Sequence, residues 1–208
     1  DANSNLTVDF GVVPIEVGGD NSLSLGNRVW LDNGVGDGIA NNGIMDGTEP
    51  GIANVLLRLL NGAGVPVTNA NGQPLTTRTD SRGYYIFNNL VAGNYIVLID
   101  ASNFGANGPL LNLSSSEPTE STPNNDIDIN DNGINDDSPA VNGIRTGVIT
   151  LAYNNEPVDE IDLDPVGANQ LANMNNLTLD FGFVSPTALD ETDEPASPTR
   201  LYLPSVWR

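Results

Sequence analysis

The chain has 208 residues, 38% of them apolar, enough to bury one sizeable sandwich or two small domains. Its 27 acidic and 7 basic side chains give a formal net charge of -20, and every basic residue is Arg, so the clustered cations that bind nucleic acid or an anionic membrane surface are missing. Cys, His and Lys are absent, which excludes disulfides, thiolate and imidazole metal sites, Ser–His triads, zincin chemistry and any amide crosslink through a lysine amine.

In chain order, the first element is the segment Asn5-Leu-Thr-Val-Asp-Phe-Gly-Val-Val13, which recurs as Asn176-Leu-Thr-Leu-Asp-Phe-Gly-Phe-Val184. A β-domain needs one closing strand, so the front copy is expected to serve another domain. Two arrangements fit. It is the last strand of a preceding repeat of the same chain, with Pro14 to Ser22 as linker, or residues 4–13 add as a strand to the open sheet edge of a neighbouring subunit, with Leu6, Val8, Phe10 and Val12 filling its groove. Repeated head to tail, such a contact need not close, as a homopolymeric filament requires.

Alternation of apolar and polar residues predicts strands, and no helical stripe competes with it, so the chain reads as all-β. Leu23, Leu25, Val29 and Leu31 alternate over residues 22–32; Val55, Leu57 and Leu59 follow, with Leu56 and Leu60 making the other face partly apolar, as in a central strand. Asn61-Gly-Ala-Gly64 and Asn71-Gly72 are turns that bracket short strands ending near Thr79. Tyr85 and Phe87, then Tyr95, Val97 and Ile99, predict two strands joined as a hairpin through Asn88 to Gly93. Residues 101–142 are polar and aperiodic, a connection expected to be held by something other than a core. Strands return at Ile144 to Ala152 and at Asn176 to Val184. Residues 1–21 thus read as a strand and linker, 22–186 as the sandwich, and 187–208 as a linker with an apolar end at Leu201 to Trp207.

Several motifs stand in one order: Leu25-Gly-Asn-Arg-Val-Trp-Leu-Asp32, Asn42-Gly-Ile-Met-Asp46 with Glu49-Pro-Gly-Ile52, Thr79-Asp-Ser-Arg-Gly-Tyr-Tyr-Ile-Phe87, Gly93-Asn-Tyr95, and Asn176-Leu-Thr-Leu-Asp-Phe-Gly182. Over residues 22–185 they resemble the B-type repeats of staphylococcal serine-aspartate repeat surface proteins (SdrD B-like), relatives of the collagen-adhesin B-type domain. The resemblance implies an immunoglobulin-like, transthyretin-like β-sandwich with long calcium-binding loops, an extracellular or cell-surface location, and a structural role in an adhesin stalk. The chain departs from the pattern in its longer loops, in lacking the Lys of an internal Lys–Asn amide bond, and in having no sortase signal, since Leu203-Pro-Ser-Val206 does not match one.

Calcium takes six to eight hard oxygen ligands from a loop tight enough to converge them. Asn42, Gly43, the Ile44 carbonyl, Asp46 and Glu49 form the second half of an EF-hand-like loop; the leading Asp32 stands nine residues before Asn42 instead of three, so Asp37 or Asn41 is expected to fill in from the insertion. The run from Asp128 to Asp136 repeats the pattern with Asp128, Asn130, Asn132, the Ile134 carbonyl and Asp136, and Asp137 or Asp126 stands in for the missing bidentate Glu. Asp159, Glu160, Asp162 and Asp164 form a third, weaker cluster whose acids are as readily solvated loop charge. Converging carboxylates repel unless a divalent ion joins them, and Ca2+ is the expected cofactor.

Other features read blandly. Trp30, Tyr85, Phe87 and Tyr95 belong in the core, and the sequons at Asn5, Asn112 and Asn176 are expected by chance in an Asn-rich chain. No pair of acids is singled out for glycoside hydrolysis, so no enzymatic activity is expected. No apolar run spans a bilayer and no signal peptide is visible at Asp1, so an exported, mature, uninserted form is expected. The alternative to a structural unit is a carbohydrate- or ligand-binding module of a larger secreted protein, with calcium positioning a sugar.

Overall fold

The structure, a computed structural model, describes residues 22–119, 122–162, 164, 167–168 and 171–185. The segments assigned above to strand addition (Leu6, Val8, Phe10 and Val12) and to the apolar tail lie outside those residues, as does the whole of each flanking region, 1–21 and 187–208.

Among the described residues, ten strands form two five-stranded sheets. In the first, β1 (Leu23–Leu31) lies antiparallel to β4 (Tyr84–Leu90) on one side and parallel to β9 (Asn175–Asn176) and β10 (Phe181–Val184) on the other, and β6 (Ser114–Ser115) closes the edge beside β10. In the second, the order is β3 (Thr76–Arg78), β2 (Leu56–Asn61) and β5 (Gly93–Ile99), with β7 (Ile144–Arg145) and β8 (Ile149–Leu151) sharing the far side of β5. The period of two aims one face of each sheet inward. Leu23, Leu25, Val29, Tyr85, Phe87, Phe181 and Phe183 from the first sheet meet Leu57, Leu59, Val97, Ile99, Ile149 and Leu151 from the second in a single core. β2 is central, as its two apolar faces predict: it sits between β3 and β5 with Leu57 and Leu59 fully buried.

Three expectations change. Asn88 to Gly93 is not a hairpin connection, because β4 pairs with β1 while β5 pairs with β2, so the chain crosses from one sheet to the other there. Alternation reveals a buried face but not the sheet that owns it, and Tyr85 and Tyr95 bury inward from opposite sides of one core. The front of residues 101–142 is held by the core: Phe104 and Leu110 join it, and the buried Asn103 amide trades hydrogen bonds of 2.8 Å with both main-chain groups of Leu56, standing in for one residue of a strand. The closing segment 176–184 is two short strands. Between them Asp180 replaces a ladder bond, its carboxylate accepting the Arg28 N–H at 3.0 Å.

Trp30, on the outer face of β1, is also fully buried. Its ring lies over Gly182, where an added Cβ would stand 2.8 Å from the ring and 3.0 Å from the Ser116 Cβ. Gly182→Ala is therefore expected to destabilise the domain by about 1–3 kcal/mol, since an overpacked site shifts rigid neighbours. Urea unfolding checks this; an unchanged midpoint would mean the Trp30 layer is soft.

Candidate metal-binding loops

One end of the sandwich is built from loops that follow β1 and precede β10, and acidic side chains organise them. Asp32 leaves the end of β1 with no exposed surface. Its carboxylate accepts the N–H groups of Asn41, Asn42 and Gly43 at 2.6, 3.0 and 2.9 Å, and the Ser116 hydroxyl as well. The insertion thus loops out and returns, placing Asp32 against the Asn42–Gly43 turn despite the long spacing. Gly43 makes that return possible through its positive φ of 67°. The rest of the loop closes in the same manner: Glu49 accepts the Gly34 N–H at 2.7 Å and the Asp46 N–H at 3.3 Å, and Asp46 accepts the Ile39 N–H and the Asn42 amide, each at 3.0 Å.

The structure therefore gathers Asp32, Asn42, Asp46 and Glu49. Asp37 stays exposed, and the Asn41 amide oxygen is taken by the Glu117 N–H at 3.0 Å. Ile44 lies opposite Asn130, and two main-chain bonds of 2.8 Å, Met45 N–H to Ile129 and Asp131 N–H to Gly43, zip the two predicted loops into one layer.

In the second loop Asp128 accepts the Asn27 amide at 2.9 Å on one oxygen and the N–H groups of Ile161 and Asp162 at 2.6 and 3.1 Å on the other. Asn132, fully buried, donates to the Asn130 side chain at 3.3 Å and accepts the Asp180 N–H at 3.0 Å. Ile134 donates its N–H to Arg145 at 2.8 Å. Asp136 turns away to the short helix α1 (Pro139–Asn142), accepting the Ser138 N–H at 2.7 Å and the Asn142 amide at 3.0 Å. Asp126 and Asp137 are exposed. The third cluster has cations of its own: Asp162 pairs with Arg28 at 3.0 Å and accepts the Tyr84 hydroxyl, Asp164 pairs with Arg82, and both guanidinium groups flank the Tyr84 ring.

Two acids outside the predicted ligand set are as fully buried as Asp32. Asp131 and Asp180 have no exposed surface, and their main chains lie side by side in a parallel bridge. Asp131 accepts from Gly133 N–H at 2.9 Å, Gly182 N–H at 3.2 Å and the Ser115 hydroxyl at 3.2 Å; Asp180 accepts from Arg28 and Ile129 N–H, both at 3.0 Å. A loop pattern leaves its fourth position free, which hides Asp131. Asp180 did carry a signal, an acid in the middle of an apolar strand, present in both copies of the motif.

Burial pushes the Asp131 and Asp180 carboxyls well above the usual range; main-chain donors oppose it, while the charges of Asp32 on the first and of Asp128 and Asp162 on the second reinforce it. Burial likewise raises Glu49, with Asp32 and Asp46 adding to the effect. The ion pairs of the described residues, Arg28–Asp162, Arg58–Asp100 and Arg82 with Asp80 and Asp164, reach none of Asp32, Asp46, Glu49, Asp131 or Asp180. Among the described residues no three acidic side chains form a group that encloses a metal ion unaided. One neutral oxygen is orphaned beside them: buried Asn27 spends its amide N–H groups on Asp128 at 2.9 Å and the Leu177 carbonyl at 2.6 Å, and its Oδ1 has no partner.

Two face-packed antiparallel-rich sheets closed by a strand parallel to the first define an immunoglobulin-like β-sandwich. Residues 23–124 match the family model described as the SdrD B-like domain. Relatives include Colossin-B of Dictyostelium discoideum, 35% identical over 94 residues, which are 45% of this chain and 2% of that protein. Serine-aspartate repeat-containing protein D of Staphylococcus aureus (strain Newman) is 34% identical over 96 residues, 46% of this chain and 6% of that protein. The chain thus spans only a few per cent of the length of these relatives. Among solved structures, the minor pilin GBS52 of Streptococcus agalactiae superposes with a TM-score of 0.36 at 13% identity, covering 86% of this chain and 49% of that one. The major pilin subunit BcpA of Bacillus cereus gives a TM-score of 0.35 at 11% identity, covering 80% and 31%.

The raised acids set a pH dependence. Folded, metal-free protein holds protons on Asp131 and Asp180 at pH values where the unfolded chain, with carboxyls near about 4, has released them. Stability is then greatest below the unfolded value and falls as pH rises toward the folded values. Chelated protein is expected to melt at a higher temperature at pH 5 than at pH 8; a melting temperature that climbs over that interval would contradict the assignment.

Proposed function

We propose that this chain is a structural unit of an extracellular surface protein: a β-sandwich stiffened by calcium in its loop layer and joined head to tail with like units in a stalk or filament. The observation that carries the reading is the burial of Asp32, Glu49, Asp131 and Asp180, each held by main-chain donors and, among the described ion pairs, without an Arg side-chain partner, in a chain of net charge -20. A protein selected only for a stable core would not bury these acids, because each desolvated carboxylate costs free energy unless a positive charge faces it.

Calcium suits the oxygen-only donor set, since Cys and His are absent and amide and main-chain carbonyls abound. Asp32, Asn42, Asp46 and Glu49 would hold one ion with the Ile44 carbonyl. Asp128, Asn130 and Asn132 would serve a second, and the unpartnered Asn27 Oδ1 beside Asp128 gives that loop a neutral oxygen in need of a positive partner. When bound, the ion supplies the countercharge that lets loops of this polarity stay ordered without a covalent staple. Head-to-tail joining rests on the front copy of the closing-strand motif, with Leu6, Val8, Phe10 and Val12 as its apolar face. Among the described residues no helix is long and apolar enough to cross a membrane. The assembled protein works outside the cell, and its domain family is one of structural surface modules.

Thermal unfolding with calcium and with chelator tests the reading. Ligand at a hundred times its dissociation constant adds about 2.7 kcal/mol per site, so calcium is expected to raise the melting temperature by several degrees, and Asp32→Ala with Asp128→Ala to remove most of the rise. Equal melting with and without chelator would sink the proposal.

A further inference from the structure

We propose that Asn71 is a site of spontaneous modification, losing its side-chain amide through a cyclic imide formed with Gly72, and that carboxylates of the loop layer hold the same chemistry off Asn33 and Asn42. The proposal stands apart from the calcium and stalk reading and requires no metal.

The chain holds seven Asn–Gly pairs. In such a pair the glycine main-chain nitrogen, after giving its proton to hydroxide, attacks the asparagine Cγ; a C–N bond closes a succinimide ring and ammonia leaves. Water then opens the ring at either carbonyl, so that an amide and a water become an acid, as aspartate or isoaspartate, and an ammonia. Glycine favours the step because no Cβ crowds its nitrogen. Three conditions follow: the N–H must come free, the asparagine side chain must swing over it, and the backbone must be able to turn.

The loop layer withholds these conditions. Gly34 donates its N–H to Glu49 at 2.7 Å, and Gly43 donates to Asp32 at 2.9 Å. A carboxylate acceptor opposes the step twice, since the bond is charge-assisted and the nitrogen anion would form beside a negative oxygen. The Asn42 side chain is tethered as well, donating to Asp46 at 3.0 Å and accepting the Ile44 N–H at 2.9 Å. Asn132 is fully buried, and Gly133 donates to Asp131 at 2.9 Å. Elsewhere, Asn61 accepts the N–H groups of Ala63 and Val65, and Asn142 donates to Asp136, each at 3.0 Å. Gly108, after Asn107, packs so closely that an added Cβ would strike the Asn103 carbonyl, which leaves its backbone no room to turn.

Asn71 escapes these restraints. It is exposed at the tip of the hairpin closed by Thr68 and Pro74, and its side chain is bonded to nothing among the described residues. Gly72 has open space where a Cβ would stand, and its N–H is held by the Asn69 carbonyl of the same turn at 2.9 Å. A bond to a neutral oxygen within one exposed turn opens locally at low cost. Conversion there adds a negative charge to the hairpin tip and leaves the loop layer intact.

Incubation of the full chain, its fold verified by circular dichroism, in warm buffer at about pH 8, followed by peptide mapping with mass spectrometry, follows all the pairs at once. Asn71 is expected to convert at least about ten times faster than Asn42, the factor that one charge-assisted hydrogen bond supplies. In strong denaturant the rates are expected to converge, since every pair is then a plain Asn–Gly. Glu49→Gln keeps the side-chain shape and removes its charge; it is expected to quicken Asn33 several-fold and leave Asn71 unchanged. Equal rates at Asn71 and Asn42 in the folded chain would overturn the assigned site. An Asn42 that stays slow in denaturant, or an Asn33 unmoved by the substitution, would overturn the protection by carboxylates.

Discussion

Everything at the loop end depends on carboxylates that replace main-chain partners. Where the closing segment cannot pair continuously with β1, Asp180 takes the Arg28 N–H; where the long insertion must return to the end of β1, Asp32 takes three successive N–H groups; where the second loop crosses the closing strand, Asp131 ties Gly133 to Gly182. A carboxylate offers several acceptor sites and binds N–H groups more strongly than a neutral oxygen does. It can therefore gather a non-repetitive backbone that sheet hydrogen bonding cannot reach. The cost is negative charge out of water, which the proposed divalent cation would offset.

The two kinds of acidic cluster in this chain separate on that ground. Asp162 and Asp164 lie at a partly exposed surface and are answered by Arg28 and Arg82 around Tyr84, an arrangement that orders a loop with resident charges alone. The acids beneath the zipped loops have main-chain donors but no guanidinium. Arg is long and planar and would displace the tight turns that bring the N–H groups together, whereas a small ion accepts oxygen ligands from several directions.

The closing strand links this layer to the core. Leu179, Phe181 and Phe183 pack inward while Asp180 and Gly182, alternate residues of the same segment, serve the outer layer and Trp30. One strand thus couples hydrophobic packing and loop order. Glycosylation at the Asn176 sequon is incompatible with this role, since that side chain is buried against Glu156.

Much of this was legible in the residues themselves. Alternation located β1, β2, β4 and β5 and most of the core, because a half-buried strand must alternate whatever it pairs with; motif order pointed to the family model that residues 23–124 match; and Gly43 with Asn42, Asp46 and Glu49 marked a loop whose residues the structure brings together. Sequence could not say that β4 and β5 lie in different sheets, that Phe104 and Leu110 reach the core from a polar stretch, or that Asp131 and Asp180 are fully buried. Those facts depend on which backbone groups lack a partner once the sheets have packed, and a missing hydrogen bond is a property of three-dimensional neighbours. Period, charge and turn chemistry are local and were determined by the chain alone; sheet membership and the destination of each carboxylate were decided only by tertiary packing.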